Sequence, residues 1–147
     1  MKPTPPDWPR ISTSLYYDEA AKAIDWLCRA FGFELRLKVD GEGGQIVHSE
    51  LSYGDGVIMV SESKDSMPHS RSPSQVGGGN TQNLMVYVDD VEAHWARARE
   101  AGATMVGEMK NSDYGEDYWS DRGYLCRDVG GHHWYFAQRL RNPPTRS

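Results

Sequence analysis

Two stretches of this chain repeat apolar residues at three- and four-residue steps, and short strand-like runs surround each. In the first, Ala20, Ala23, Ile24, Leu27, Cys28 and Phe31 fall on one face of a helix. Asp18 is placed to cap its start and Gly32 to take the left-handed position after its end. ISTSLYY (11–17) before it reads as a strand. FELRLKV, QIVHSELSY and VIMVS follow as three more, separated by turns at Gly41, Gly43 and Gly44 and at Gly54–Asp55–Gly56. The order is β-α-β-β-β.

The same order returns from Gln82. QNLMVYV is a strand, and the next helix turns Val91, Trp95 and Ala98 inward and ends at Gly102. Asp89 and Glu92 have capping-box spacing at its start. ATMVGEM, GYLCRD and HHWYFAQ supply three strands, the last two joined through Gly130–Gly131. Asp18 and Asp89 stand 71 residues apart, and Gly32 and Gly102 stand 70 apart. Agreement of two registers marks an internal repeat. The expected layout is an extended tail (1–10), module one (11–67), a flexible Pro/Ser/Gly-rich linker (68–80), module two (81–140) and a second tail (141–147). The prolines of the first tail suggest that it lies across a partner subunit.

Alternation along the strands separates two faces. Leu15, Tyr17, Leu84, Val86, Val88, Trp134 and Phe136 belong against the helices. Ser12, Ser14, Tyr16, Asn83, Met85, Tyr87, His133, Tyr135 and Ala137 point away, and His48 and Glu50 share one face of the third strand. The helix-free faces are therefore aromatic and semi-polar, the lining of a pocket more than of a core.

Composition removes several functions. Sixteen Lys and Arg against 21 Asp and Glu leave a net charge of −5, and no basic stripe offers a grip on nucleic acid. No apolar run approaches the roughly 18–20 residues that span a bilayer, and the N-terminus has no secretory h-region. Cys28 and Cys126 are too few for a disulfide scaffold. A cytoplasmic protein is expected.

These features together resemble the vicinal oxygen chelate superfamily, which includes glyoxalase I, extradiol dioxygenases and bleomycin-resistance proteins. The residues that carry the resemblance are LYYDEAAKAIDWLCRAFGFE, HSELSYGDGVIMV, VYVDDVEAHWARAREAGA and DRGYLCRDVGGHHWYF, with Val129 where the family's closing stretch has proline. The resemblance implies an α+β fold of two βαβββ modules forming a cupped, partly open eight-stranded sheet, a homodimer, and a small-molecule ligand in the cup. It also implies a divalent metal held from four strands. Carried over by register, those positions are Ser12, Met59, Asn83 and Tyr135. Serine, asparagine, thioether and neutral phenol make a poor ligand set, so no metal or other cofactor is expected there.

Two functions stay open on these residues. One is a bleomycin-resistance-like binding protein, with Ser12, His48, Glu50, Met59, Glu62, Asn83, Met85, Trp119, Arg122 and Tyr135 lining its ligand site. The other is a metal-free or relocated-metal lyase or isomerase using His48, Glu50 or His133 as acid or base; glyoxalase I activity is not expected. Arg122 either holds an anionic ligand group or pairs with Asp121 or Asp128. Tyr114, Tyr118 and Trp119 form either a lid over an aromatic or cationic ligand or a subunit contact.

Overall fold

Both apolar stripes become helices, and each is flanked by strands in the expected order. The computed structural model describes residues 1–145. It divides into two units, residues 1–79 and the chain from Asn80 onward. The first contains β1 (Thr13–Tyr17), α1 (Ala20–Phe31), β2 (Glu34–Asp40), β3 (Ile46–Tyr53) and β4 (Gly56–Glu62). The second contains β5 (Asn83–Tyr87), α2 (Val91–Glu100), β6 (Thr104–Asp113), β7 (Ser120–Arg127) and β8 (His133–Arg141). The eight strands fall in two sheets of four, ordered β1-β4-β3-β2 and β5-β8-β7-β6. In each, the strand before the helix runs parallel to the last strand of its module.

Burial follows the alternation. In the first unit Leu15, Tyr17, Leu51 and Val60 lie with Ile24, Leu27 and Phe31 of α1 in the core. In the second, Tyr124, Cys126, Trp134 and Phe136 are buried with Val91 and Ala98 of α2. Trp134 and Phe136 stack at 5.9 Å, and burying a side chain of that size stabilises by ~1.5–3 kcal/mol. Burial also pushes the Cys126 thiol up to about 12, with Asp128 adding to it, and raises that of Cys28. Neither is a poised nucleophile.

The helix starts correct the sequence reading. The residue at the N-cap of α1 is Glu19, without a side-chain cap bond. Asp18 accepts instead from the hydroxyls of Ser72, Ser74 and Ser63, which lower its pKa, Ser72 most. The linker thus contains a short 3-10 turn, Pro73–Val76, with Ser72 and Pro73 buried. For α2 the cap is Asp90, not Asp89; its carboxylate accepts from the Ala93 N–H at 3.0 Å. Trp95 is only half-buried, and His94 takes the inward place, with Nδ1 2.6 Å from the Tyr124 hydroxyl.

Both modules solve the remaining cap alike. Glu62, on the last strand of module one, accepts from the first helical N–H, Ala20, at 3.2 Å. Gln138, on the last strand of module two, accepts from Val91 at 3.1 Å. The repeat therefore reaches down to a side-chain oxygen that satisfies one orphan donor at each helix start. Gly32 ends α1 in the expected left-handed conformation, at φ 86.

Candidate functional site

On the helix-free face of module two, alternation along β8 places His133, Tyr135, Ala137 and Arg139 in one row. Met85 of β5 pairs with Tyr135 and Tyr87 with Ala137; on the other side Gly123 pairs with Ala137 and Asp121 with Arg139. Arg139 donates its Nε–H to Asp121 Oδ1 at 2.6 Å and an Nη2–H to the Tyr87 hydroxyl. Tyr87 in turn donates to Asp121 Oδ2 at 3.1 Å. Asp121 is sealed, its side chain 3 % exposed. The guanidinium lies 5.0 Å from the centre of the Tyr87 ring and 5.5 Å from that of Trp119. Tyr114 and Tyr118 flank Trp119 at 5.3 and 6.3 Å.

One cation, held by a buried carboxylate, thus organises two aromatic rings, and the loop carries a second layer. Tyr87, Tyr114 and Tyr118 each remain about half exposed. The loop is tied down by Arg141, which grips Asp113 with two N–H groups and the Gly115 carbonyl with another. Tyr135 stays a neutral phenol: burial raises its pKa, and Tyr114, Asp121 and Tyr87 add to the effect.

On the helix-free face of module one, Glu50 is the hub. Its Oε2 is 2.9 Å from His48 Nε2 and its Oε1 is 3.2 Å from Arg36 Nε. Arg36 sits at a register shift between Leu35 and Leu37; such a bulge re-aims a side chain that regular pleating would send elsewhere. Met59 lies between Ser14 and Glu50 in the sheet.

The structure separates the other candidates. Glu62 is on the helix side of β4, spent on Ala20. Arg122 also points to the helix side, bonded to Glu92 and Asn111 and not to Asp121 or Asp128. Asp128 instead ties the β7–β8 turn, accepting from the N–H groups of Gly130 and His132 and from Trp134 Nε1. Asn83 and Met85 are exposed on β5, and Asn83 accepts from Asn80. His133 pairs with Asn83 in the sheet, and its Nδ1 is buried without a hydrogen-bond partner among the described residues. Sequence reasoning overlooked Asp121 and Arg139 as a pair. The signal was present: the alternation His133, Tyr135, Ala137 continues to Arg139 once β8 is carried past Gln138.

Residues 11–136 match the model of the Glyoxalase/Bleomycin resistance protein/Dioxygenase superfamily. The chain belongs to this superfamily. An uncharacterized protein of Mycobacterium bovis is 31% identical over 134 residues, covering 90% of this chain and 85% of that protein. Among solved structures, TioX from Micromonospora sp. ML1 is 34% identical with a TM-score of 0.69, covering 90% of this chain and 99% of that one. TnmS3, an antibiotic binding protein from Streptomyces sp. CB03234, is 22% identical with a TM-score of 0.63, covering 87% and 93%; at that identity the likeness is one of fold.

The metal of the superfamily's enzymes finds a poor donor set at the positions carried over. The Ser12 hydroxyl donates to the Val57 carbonyl at 2.6 Å. Met59 offers a soft thioether, the Asn83 amide oxygen accepts from Asn80, and Tyr135 keeps its proton. Imidazole suits Zn, Fe and Ni, and carboxylate suits Mg and Mn; these four residues supply neither and do not fit such an ion. Among the described residues no group of three or more His, Cys, Asp or Glu side chains is placed to hold an ion elsewhere.

Proposed function

We propose that this superfamily member binds a flat, conjugated small molecule against the aromatic cluster of module two, without a metal at the family position. The observation that carries the reading is the Arg139 guanidinium seated on Tyr87 and Trp119 while three aromatic side chains around it stay half exposed. A cluster of rings organised by a buried ion pair, on a face with no helix over it, is built for contact. Its rings offer stacking area and its guanidinium and phenols offer oriented donors. The fold is compatible, since TnmS3 is an antibiotic binding protein on the same architecture. A homodimer in the cytoplasm belongs to this reading as well.

The test is a thermal-shift and fluorescence panel of planar heteroaromatic compounds, with the ligand recovered afterwards. Binding with unchanged ligand, weakened roughly tenfold or more in Trp119→Ala by loss of stacking, supports it. Ligands that bind equally well to Trp119→Ala and Tyr87→Ala would remove the cluster from the site. Elemental analysis of protein purified without chelator is expected to find no stoichiometric transition metal.

A second reading has one observation in its favour. His48 and Glu50 form a 2.9 Å pair, and Arg36 holds the other carboxylate oxygen; a carboxylate that orients an imidazole is the geometry of a general base. Product formation that disappears in His48→Ala would select it.

A further inference from the structure

A cavity of about 530 Å³ opens on the first unit, lined by Asp7, Trp8, Pro9, Arg36, Ser52, Gly54, Asp55 and Val57. Its size suits a small organic molecule. Its wall is made partly by the first ten residues, which turn back on the sheet. The Trp8 N–H donates to the Pro5 carbonyl, and Arg36 donates to the Asp7 carbonyl at 2.7 Å and stacks on the Trp8 ring at 4.9 Å. Asp7 takes the left-handed conformation, φ 61, which L-residues other than Asn and Asp rarely adopt. A hydrogen bond and a ring contact therefore hold the segment in place over β2.

The charges on the wall decide what fits. Arg36 is the cation of the lining, and its charge is already matched by Glu50 at 3.2 Å. The carboxylates of Asp7 and Asp55 are both exposed, and among the described residues neither has a hydrogen-bond or ion-pair partner. The Ser52 hydroxyl is also uncommitted among them. Two unmatched negative charges, an aromatic ring in the wall and one spare hydroxyl favour a cation with an apolar body. An anion would meet two carboxylates and an arginine whose charge is spent.

We propose that this cavity of the first unit is a second binding site, for a small organic ammonium ion: the Trp8 ring takes its apolar part and Asp7 and Asp55 its charge.

Titration calorimetry on the full chain at low ionic strength tests it, with phenethylammonium and 3-phenylpropanoate as ring-matched probes of opposite charge. Phenethylammonium is expected to bind saturably and phenylpropanoate not to. Trp8→Ala is expected to weaken the ammonium roughly tenfold, the loss of the apolar contact with its ring. Asp7→Asn with Asp55→Asn keeps the side-chain shapes and is expected to weaken it by a similar factor and flatten its salt dependence. Unchanged melting temperatures show that both variants fold. No saturable binding of the ammonium, equal binding of the carboxylate, or affinity that survives both variants overturns the proposal. So does ammonium binding that is lost in Trp119→Ala, which would place the ion in module two.

Discussion

The phenol of Tyr135 lies across Gly123 on the neighbouring strand, so that a Cβ at position 123 would stand 2.5 Å from the Tyr135 oxygen. The Phe136 carbonyl would be 2.8 Å away on the backbone side. Any side chain at 123 must therefore expel the ring. Gly123→Ala is expected to destabilise the fold by about 1–3 kcal/mol through overpacking, and to move Tyr135 toward the cluster where the ligand is proposed to bind. Chemical denaturation measures the first effect and ligand titration the second. A variant as stable as the parent would show that the Tyr135 ring and the Phe136 backbone both give way without cost.

Asp121 holds Arg139 and Tyr87 together from a buried position, so Asp121→Asn removes the charge while keeping the shape. Because Arg139 is 30 % exposed at its side chain, water compensates part of the loss. The expected cost is about 1–3 kcal/mol, accompanied by weaker binding of aromatic ligands. Tyr87→Phe, which loses one hydroxyl, is expected to cost about 1 kcal/mol. A double-mutant cycle between the two measures their coupling.

Acid should loosen the aromatic loop through Asp113. The Arg141 guanidinium, with the Gly115 N–H second, holds the Asp113 carboxyl at about 2, below its ordinary 3.8. The folded value lies below the unfolded one, so the stabilisation is present above about pH 4 and is lost as pH falls through about 2. Asp18 is shifted in the same direction by its serine hydroxyls. An NMR titration of Asp113 with a midpoint near 2, and a shallower acid melt for Asp113→Asn, are the expected results. A midpoint at the ordinary carboxylate value would mean that Arg141 does not hold the loop in solution.

His94 presents a polar atom on a face that the apolar stripe assigns to core. Its Nδ1 meets the Tyr124 hydroxyl at 2.6 Å, and its ring lies 4.2 Å from that of Phe136. His94→Leu restores an apolar stripe but takes a partner from a buried phenol. It is expected to cost about 1–3 kcal/mol, with Tyr124→Phe in the same chain recovering part of the loss. Equal stability of His94→Leu and the parent in urea would show that the bond contributes nothing.

Much of the fold was legible because periodicity is a local property. Leu15 and Tyr17, or Trp134 and Phe136, face the helix by alternation alone, and Gly32 ends its helix because a left-handed residue is needed there. The repeat was legible for the same reason. The capping errors show where local reading stops. Asp18 has the right chemistry and nearly the right place to cap α1, yet Ser72 and Ser74, more than 50 residues on, compete for its carboxylate and win.

What the sequence determined by itself was the two βαβββ modules, the faces of most strands, and the absence of imidazole and carboxylate at Ser12, Met59, Asn83 and Tyr135. These follow from residue type and spacing. Tertiary structure alone decided that Glu62 and Arg122 serve the helix side, that Asp121 selects Arg139 and Tyr87, and that Gly123 yields its space to Tyr135. Those outcomes depend on which strands become neighbours and in what register, and a side chain's partner across a sheet is set by distance in space, which spacing along the chain does not encode.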